Sequence, residues 1–545
     1  MIFILIGFQR FLLKFPTWML TVIQRVGFKA KMPLRNCRDT RGQEVVCFAV
    51  FCRIVTLLLQ ALFNLLIPDH AADAFSPPHL SDPGFLDQLL EWLLGGLSRW
   101  DAEHFLFIAE HGYVYEHNCA FFPLFPLALK AAASILFWPF QGFLCFRSCL
   151  LLSAALLNAV SSVLASWILF ELSCAVLRCR RRAFLSAVLF CLTPANIFMA
   201  AAYSESFFAC VVFAALWGLE RGHPWPSLLL FALATGVRSN GLINAGFLLY
   251  SQTKRFAFRC QSSEDGLWKK GLILAAALVV VSASVALPFA VFQYYAYLKF
   301  CHPNMGPGYA IPKPLLRLAE SKGYRVAASE GGAPPWCSWD VPVLYTYIQD
   351  AYWNVGFLRY FELKQIPNFL LASPVIVLGS WAIWWYVTAN PWHCLTLGLV
   401  RKKSAGKEDH DSQKPAEGFG SPGVFVYLVH AAALLVFGTF FMHVQVLTRF
   451  LGSSSPVLYW FCAQLLYDNE PLLQGGGFPS KHRESLADKP PVDNFFSTCH
   501  RHENPVLMLL SKWKQCRILT KCILGYVLSY WLLGLVLHCN FFPWT

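Results

Sequence analysis

The sequence predicts an all-α protein that crosses a membrane many times. Of its 545 residues, 56% are hydrophobic and only 14% are charged, and the mean hydropathy is +0.48. Few soluble folds could bury so much apolar surface. The apolar residues also fall into runs of about 20, the length of a helix that crosses a hydrocarbon core of roughly 30 Å.

Ten clear apolar runs and one weaker run give ten or eleven predicted spans. In chain order they are residues 47–67, 120–141, 147–176, 183–200, 203–220, 226–249, 271–298, 367–389, 422–442 and 522–541, with the weaker one at 451–467. Pro194 and Asn196 close one run, and Arg238 and Asn240 interrupt another. Polar groups at that depth are costly unless they line a protein or water cavity.

Basic clusters predict the orientation of the spans. Three segments are predicted to be cytosolic: residues 35–41, 254–270 and 401–407. The loops 68–119 and 300–366 then share the opposite, lumenal face and carry short interfacial helices. The Arg178–Arg182 cluster opposes this scheme. Basic residues beside apolar runs are typical of helix-end anchors, so the net charge of +13 does not predict nucleic-acid binding.

The strongest local signal is SRWDAEHFLFIAEHGY, which begins at Ser98. It predicts a short helix with Ser98 as N-cap and Gly112 as C-terminal stop. Asp101 and His104 then share one helix face, with Trp100 beside them. Asp101 is either the acid of a structural capping box or a base that takes a proton from a sugar hydroxyl.

Neither a metal site nor a disulfide framework is predicted. Most of the nineteen cysteines lie inside apolar runs and no Cys-x-x-Cys occurs, so they are interpreted as small core residues. His104 and His111 are seven residues apart, about 10 Å along a helix, whereas a zinc-binding pair usually has i, i+4 spacing.

Further polar residues interrupt apolar sequence at three places. Glu205 in YSES is either an interfacial group or part of a site, and Arg238 in ATGVRSNG either binds a lipid phosphate or pairs with an acid such as Glu205. Arg449, in HVQVLTRFLGSSSP, either neutralises a phosphate or snorkels to the headgroups. A segment dense in Trp and Tyr follows Pro334, which suits a membrane interface or stacking on sugar rings.

Together these segments resemble the GT-C polytopic glycosyltransferases that use dolichol-phosphate mannose, and among them the phosphatidylinositol glycan class V family. The resemblance is carried by RWDAEHFLFIAEHGY, FFPLFPLAL, TPANIF, YSES, ATGVRSNG, YIQDAYWNVGFLRYFELKQIPNFLLA, HVQVLTRFLGSSSP and LHCNFFPWT. It covers residues 42–545 as one transmembrane domain and leaves residues 1–41 outside as an N-terminal extension. Targeting segment, extra helix and a start at Met32 are alternatives for that extension.

The resemblance implies a GT-C-like bundle in the endoplasmic reticulum membrane. It implies transfer of the second mannose, α-1,6-linked, from dolichol-phosphate mannose to a glycosylphosphatidylinositol (GPI) precursor on the lumenal face. The lipid-linked donor serves in place of a cofactor, and membrane lipids are the other expected partners; protein subunits are not predicted.

The resemblance also implies roles for individual residues. In an inverting single displacement one carboxylate suffices as base. Asp101 is assigned that role, with Trp100 as its positioning neighbour and Asp69 as the rival base. The substrate-binding candidates are His104, Glu205, Arg238, Asn240, His443, Gln445 and Arg449.

Two other functional classes compete with this prediction. A lipid or solute transporter or scramblase also has broken helices and intramembrane arginines, but often an internal repeat, and the two halves of this chain show none. A membrane acyltransferase would need a histidine inside a span, for which His430 is the candidate.

Overall fold

The computed structural model describes residues 40–262, 267–302, 311–326, 334–400, 417–474 and 504–544. Within these ranges the regular structure is helical, with one isolated bridge between Tyr115 and Val326. The all-α prediction is therefore confirmed. Most of the predicted N-terminal extension and the basic segment 401–407 lie outside the described residues.

The α-helices are numbered here in chain order. They are α1 (Thr40–Leu66), α2 (Phe85–Leu94), α3 (Asp101–His111), α4 (Leu124–Phe140), α5 (Phe146–Leu177), α6 (Arg180–Cys191), α7 (Glu205–Glu220), α8 (Pro224–Val237), α9 (Ala245–Ser262), α10 (Leu267–Cys301), α11 (Lys313–Lys322), α12 (Leu344–Ala351), α13 (Ile366–Ala389), α14 (Pro391–Leu395), α15 (Phe425–Phe440), α16 (Leu447–Ser454), α17 (Val457–Asn469), α18 (Pro471–Gln474), α19 (Pro505–Ser511) and α20 (Ile518–His538). Short 3-10 helices connect several of them.

Six of the described helices are long and apolar enough to cross a membrane: α1, α5, α10, α13, α15 and α20. Helices α4 and α8 are apolar but shorter. The predicted span 183–200 is helical only as far as Cys191, and the predicted span 226–249 is divided by the 3-10 helix Ser239–Asn244. Pro194 and the polar group around Arg238 therefore end helices, as their chemistry requires.

Helix α5 occupies the centre of the bundle and packs on α1, α4, α6 and α7. Its buried face carries small residues at helical spacing, including Ala154, Ser162 and Ala165. Small side chains let neighbouring backbones approach closely where no water drives association. Asn158 lies on the same face and is fully buried.

Residues 193–204 cross the bundle interior without forming a regular helix. Such backbone is tolerated at membrane depth only when the protein satisfies its polar groups. The Asn158 amide donates to the Tyr203 carbonyl (2.9 Å), and the Ala202 N–H donates to the Leu97 carbonyl (3.0 Å). The break therefore places Tyr203 and the start of α7 beside the segment that leads into α3.

A disulfide joins Cys301, at the end of α10, to Cys337. Cys337 lies in the segment dense in Trp and Tyr, residues 334–369, which is called the aromatic segment below. The sequence predicts core positions for most cysteines and no disulfide framework, so this pair was not anticipated. Glu116 also fixes the aromatic segment, because its carboxylate accepts hydrogen bonds from Trp336 Nε1 (2.7 Å) and the Tyr352 hydroxyl (2.9 Å). The segment is thereby fixed over α3 and its following turn.

Candidate active site

A cavity of about 440 Å³ opens where α3, the break at residues 203–205, the end of α8, the aromatic segment and α16 meet. Four charged side chains line it: Asp101, Glu205, Arg238 and Arg449. Aromatic rings form much of the remaining wall: Trp100, Phe105, Phe121, Phe122, Tyr203, Tyr345, Trp353 and Trp544. The cavity therefore combines four charged side chains with the flat apolar faces of aromatic rings.

Helix α3 begins later than the sequence predicts. Its N-cap is Trp100, while the Ser98 hydroxyl donates to the Gly95 carbonyl (2.8 Å). The predicted capping box is therefore wrong, and the Asp101 carboxylate has no capping role. Gly112 is confirmed as the C-cap, with a φ of +76°.

The Trp100 backbone is strained, because φ is +59° and ψ is −129° in a residue with a side chain. Such strain persists where surrounding contacts impose it, and it is frequent at functional sites. The residue after Trp100 is anchored to another element, because the Asp101 N–H donates to the Tyr203 hydroxyl (3.1 Å). Trp100 and Asp101 are thus presented together to the cavity at the positive end of α3.

The four charged residues form one ionic chain. Arg449 lies 2.9 Å from Asp101 Oδ2 and 3.7 Å from Glu205 Oε1, and Arg238 lies 2.5 Å from the same Glu205 oxygen. Two carboxylates and two guanidinium groups balance each other, which is how buried charge is retained. The internal pair considered for Arg238 is confirmed. Snorkelling of Arg449 is wrong, because its side chain is only 12% exposed.

Asp101 remains ionised in this setting. Burial acts to raise the pKa of its carboxyl, but the positive charge of Arg449, with smaller effects from His104 and from the Arg449 hydrogen bond, holds it below its usual value. An ionised carboxylate can accept a hydrogen bond from a hydroxyl group. The cavity therefore holds a carboxylate ready to accept a proton.

His443 and Gln445 also line the cavity. The Nε2 of His443 donates to the Trp353 carbonyl (2.8 Å), and burial lowers the pKa of the imidazole. A neutral His443 fixes the position of Trp353 and adds no charge to the cavity beyond that of the two carboxylates and two arginines.

Seven of the ten predicted site residues line the cavity, and three lie outside it. Asp69, the rival base, pairs with Arg99 at 3.0 Å and is 44% exposed. His104 is buried with its Nδ1 3.1 Å from Asn118 Oδ1. The Asn240 amide donates to the Ser454 hydroxyl (2.9 Å). His104 and Asn240 do not line the cavity, and each has one polar atom hydrogen-bonded to a neighbouring side chain, so their substrate-binding roles stay predictions.

Several lining residues were not predicted individually, among them Tyr345, Gln349, Trp353, His538 and Trp544. The first three belong to the aromatic segment, whose density was the available signal. The last two lie in LHCNFFPWT, which supported the resemblance without suggesting a role. Among the described residues, no group of three or more His, Cys, Asp or Glu side chains could hold a metal ion.

Comparison with known proteins identifies the family. A family model described as Mannosyltransferase (PIG-V) matches residues 42–545. The chain belongs to this mannosyltransferase family. GPI alpha-1,6-mannosyltransferase 2 of Mus musculus is 58% identical over 93% of this chain and 99% of its own length, and that of Homo sapiens is 57% identical over the same shares. GPI mannosyltransferase 2 of Drosophila melanogaster is 32% identical over 77% of this chain and 90% of its own length.

Among solved structures, the mannosyltransferase is similar to the archaeal oligosaccharyltransferase AglB from Archaeoglobus fulgidus in complex with an inhibitory peptide and a dolichol-phosphate. The TM-score is 0.42 at 11% identity, over 90% of this chain and 56% of the other. The predicted family, glycosyltransferase activity and multi-pass membrane fold are confirmed by the family match and the apolar helices. Family membership removes the transporter and acyltransferase alternatives.

Proposed function

We propose that this chain transfers the second mannose, in α-1,6 linkage, from dolichol-phosphate mannose to a GPI precursor on the lumenal face of the endoplasmic reticulum. The names of the relatives that are 57–58% identical over 93% of the chain support the linkage and the acceptor. The Asp101–Arg449 pair in the cavity is the observation that carries the chemistry, because it joins a proton acceptor to a phosphate-binding cation.

In this proposal Arg238 and Arg449 bind the donor phosphate. The lipid tail stays in the bilayer, so the sugar and phosphate enter the cavity from the membrane. Guanidinium groups recognise phosphate oxygens through planar, charged hydrogen bonds. Glu205 contacts both arginines and Asp101 contacts Arg449, so the two carboxylates balance the two positive charges before the donor arrives.

Asp101 serves as the base. The acceptor hydroxyl oxygen forms a bond to C1 of mannose while the bond from C1 to the phosphate oxygen breaks, and the hydroxyl proton passes to Asp101. A single displacement inverts C1, and the departing phosphate needs no proton. Once Asp101 is protonated, Arg449 loses its carboxylate partner and its charge stabilises the new phosphate monoester. The step as written balances with the lipid-linked donor and the acceptor glycolipid alone.

The lumenal location is supported by the disulfide. Disulfides persist in oxidising compartments, and Cys337 lies in the same segment that supplies Tyr345 and Trp353 to the cavity. Flat aromatic walls also suit a glycolipid acceptor, because indole and phenol rings offer large apolar contact area beside polar groups.

Complementation of cells that lack the second GPI mannose tests the assignment of the base. Asp101→Asn is expected to leave GPI-anchored protein absent from the cell surface, whereas Asp69→Asn, which alters an acid outside the cavity, retains it. Normal surface display with Asp101→Asn at matched expression overturns the assignment.

A further inference from the structure

The segment after α20 folds back against the protein. Phe541 has a φ of +57°, which reverses the chain, and the Phe542 N–H donates to the Leu537 carbonyl (2.9 Å). The His70 N–H donates to the Asn540 carbonyl (2.9 Å), which ties the segment to the loop that follows α1. Residues 539–544 are therefore fastened to two separate elements.

This return places Trp544 against Gly534 of α20. A Cβ atom at Gly534 would lie 3.0 Å from Trp544 Nε1 and 3.2 and 3.3 Å from two ring carbons. Tyr530, one turn earlier, packs edge to face on the indole at 5.6 Å between ring centroids. A side chain at position 534 would crowd the indole, which would have to shift by a few tenths of an ångström.

Trp544 is one of the residues that line the cavity. Its Nε1 is buried against Gly534 with no hydrogen-bond partner in the described part of the chain, so the indole offers surface and not its donor. Trp100 and Trp353 line the same cavity. Flat aromatic surface beside charged groups suits the apolar face of a hexose ring.

We propose that Trp544, seated on Gly534, is a substrate-contacting residue that stacks on a hexose ring in the cavity. This inference rests on the proposed function, because the ring belongs either to the donor mannose or to the acceptor glycan. Stacking acts on the bound sugar before bond breaking and equally in the transition state. Loss of the indole therefore raises KM and leaves kcat nearly unchanged.

The test uses the purified full chain in lipid nanodiscs with labelled dolichol-phosphate mannose and a one-mannose GPI acceptor. Trp544→Ala is expected to raise KM about tenfold for one of the two substrates, with kcat within about twofold, and the affected substrate identifies the ring. Trp544→Phe retains an aromatic face and restores most of the affinity. Gly534→Ala raises the same KM by displacing the indole.

Gly525→Ala on the same helix is the matched control, because no atom lies within 4 Å of the added methyl group. Unchanged KM for both substrates in Trp544→Ala overturns the inference, as does a Phe variant as impaired as the Ala variant. If Trp544→Ala does not fold, Gly534→Ala and Trp544→Phe decide the question.

Ligand-induced thermal stabilisation, which needs no turnover, separates this inference from the proposed function. Wild-type protein that binds a sugar lipid but transfers nothing contradicts the proposed function. In that case weaker stabilisation of Trp544→Ala still supports the stacking role, and equal stabilisation overturns it.

Discussion

Replacement of Arg449 by glutamine removes the cation that lies between Asp101, the proposed base, and Glu205. Arg449 lies 2.9 Å from Asp101 and 3.7 Å from Glu205, so the substitution leaves two carboxylates facing one arginine. Loss of one donor to a developing anion costs about 2.7–4 kcal/mol, which corresponds to roughly 10²–10³ in kcat. The pKa of Asp101 also rises, because burial is no longer offset by Arg449.

The sign of the pH effect follows from that rise. In the wild type the carboxyl has a pKa below its usual value, so the base stays ionised and activity persists as the pH falls toward 5. In Arg449→Gln the acid limb of the kcat profile moves to higher pH. The rise is moderated by solvent, because the Asp101 side chain remains 35% exposed.

The assay is initial-rate mannose transfer by purified protein between pH 5 and 8 at saturating donor. Arg147→Gln provides the control, since Arg147 pairs with Glu103 on the same helix α3 and lies outside the cavity lining. That variant loses a buried ion pair yet keeps the wild-type acid limb. Arg449→Gln with wild-type kcat and an unmoved acid limb refutes the coupling between base and phosphate site.

Three further predictions concern the charge, the loop and the packing. Glu205→Gln gives the cavity an excess positive charge, so dolichyl phosphate inhibits at several-fold lower concentration; an unchanged inhibition constant contradicts the placement of the phosphate. Joint replacement of Cys301 and Cys337 by serine lowers stability by about 2–4 kcal/mol, measured as a lower melting temperature that reductant reproduces in the wild type. Gly241→Ala brings a methyl group within 2.4 Å of backbone and abolishes folded yield, whereas Gly246→Ala, with open space, does not.

The long apolar runs were enough to predict the helical membrane fold, because a bilayer requires such runs whichever helices pack against each other. Helix ends were harder to predict. Ser98 has the composition of an N-cap, but its hydroxyl bonds to Gly95, and the helix starts only after the strained Trp100. The residue after Trp100 is held by Tyr203, about a hundred residues away in sequence, and no local pattern encodes that contact.

In the candidate site, too, local sequence predicted some features, and contacts between distant residues determined the others. A pair between Arg238 and Glu205 was one of two alternatives predicted for Arg238, because a buried charge is costly alone in apolar sequence. Asp101 and Arg449 are 348 residues apart, so only the folded chain reveals that the proposed base touches an arginine proposed to bind phosphate. The helical spacing puts His104 on the same helix face as Asp101, yet in the structure its imidazole stacks between two aromatic rings. The distances between ring centroids are 4.2 Å to Phe75 and 4.6 Å to Phe121.

Transfer by the purified Asp101→Asn variant tests the central claim most directly. Labelled dolichol-phosphate mannose and a one-mannose GPI acceptor are supplied to equal amounts of folded wild-type and variant protein. Removal of the base is expected to lower kcat by about 10²–10⁴ with little change in donor KM, because the arginines that bind phosphate remain. Transfer by Asp101→Asn within about twofold of the wild-type rate contradicts the claim that Asp101 is the base.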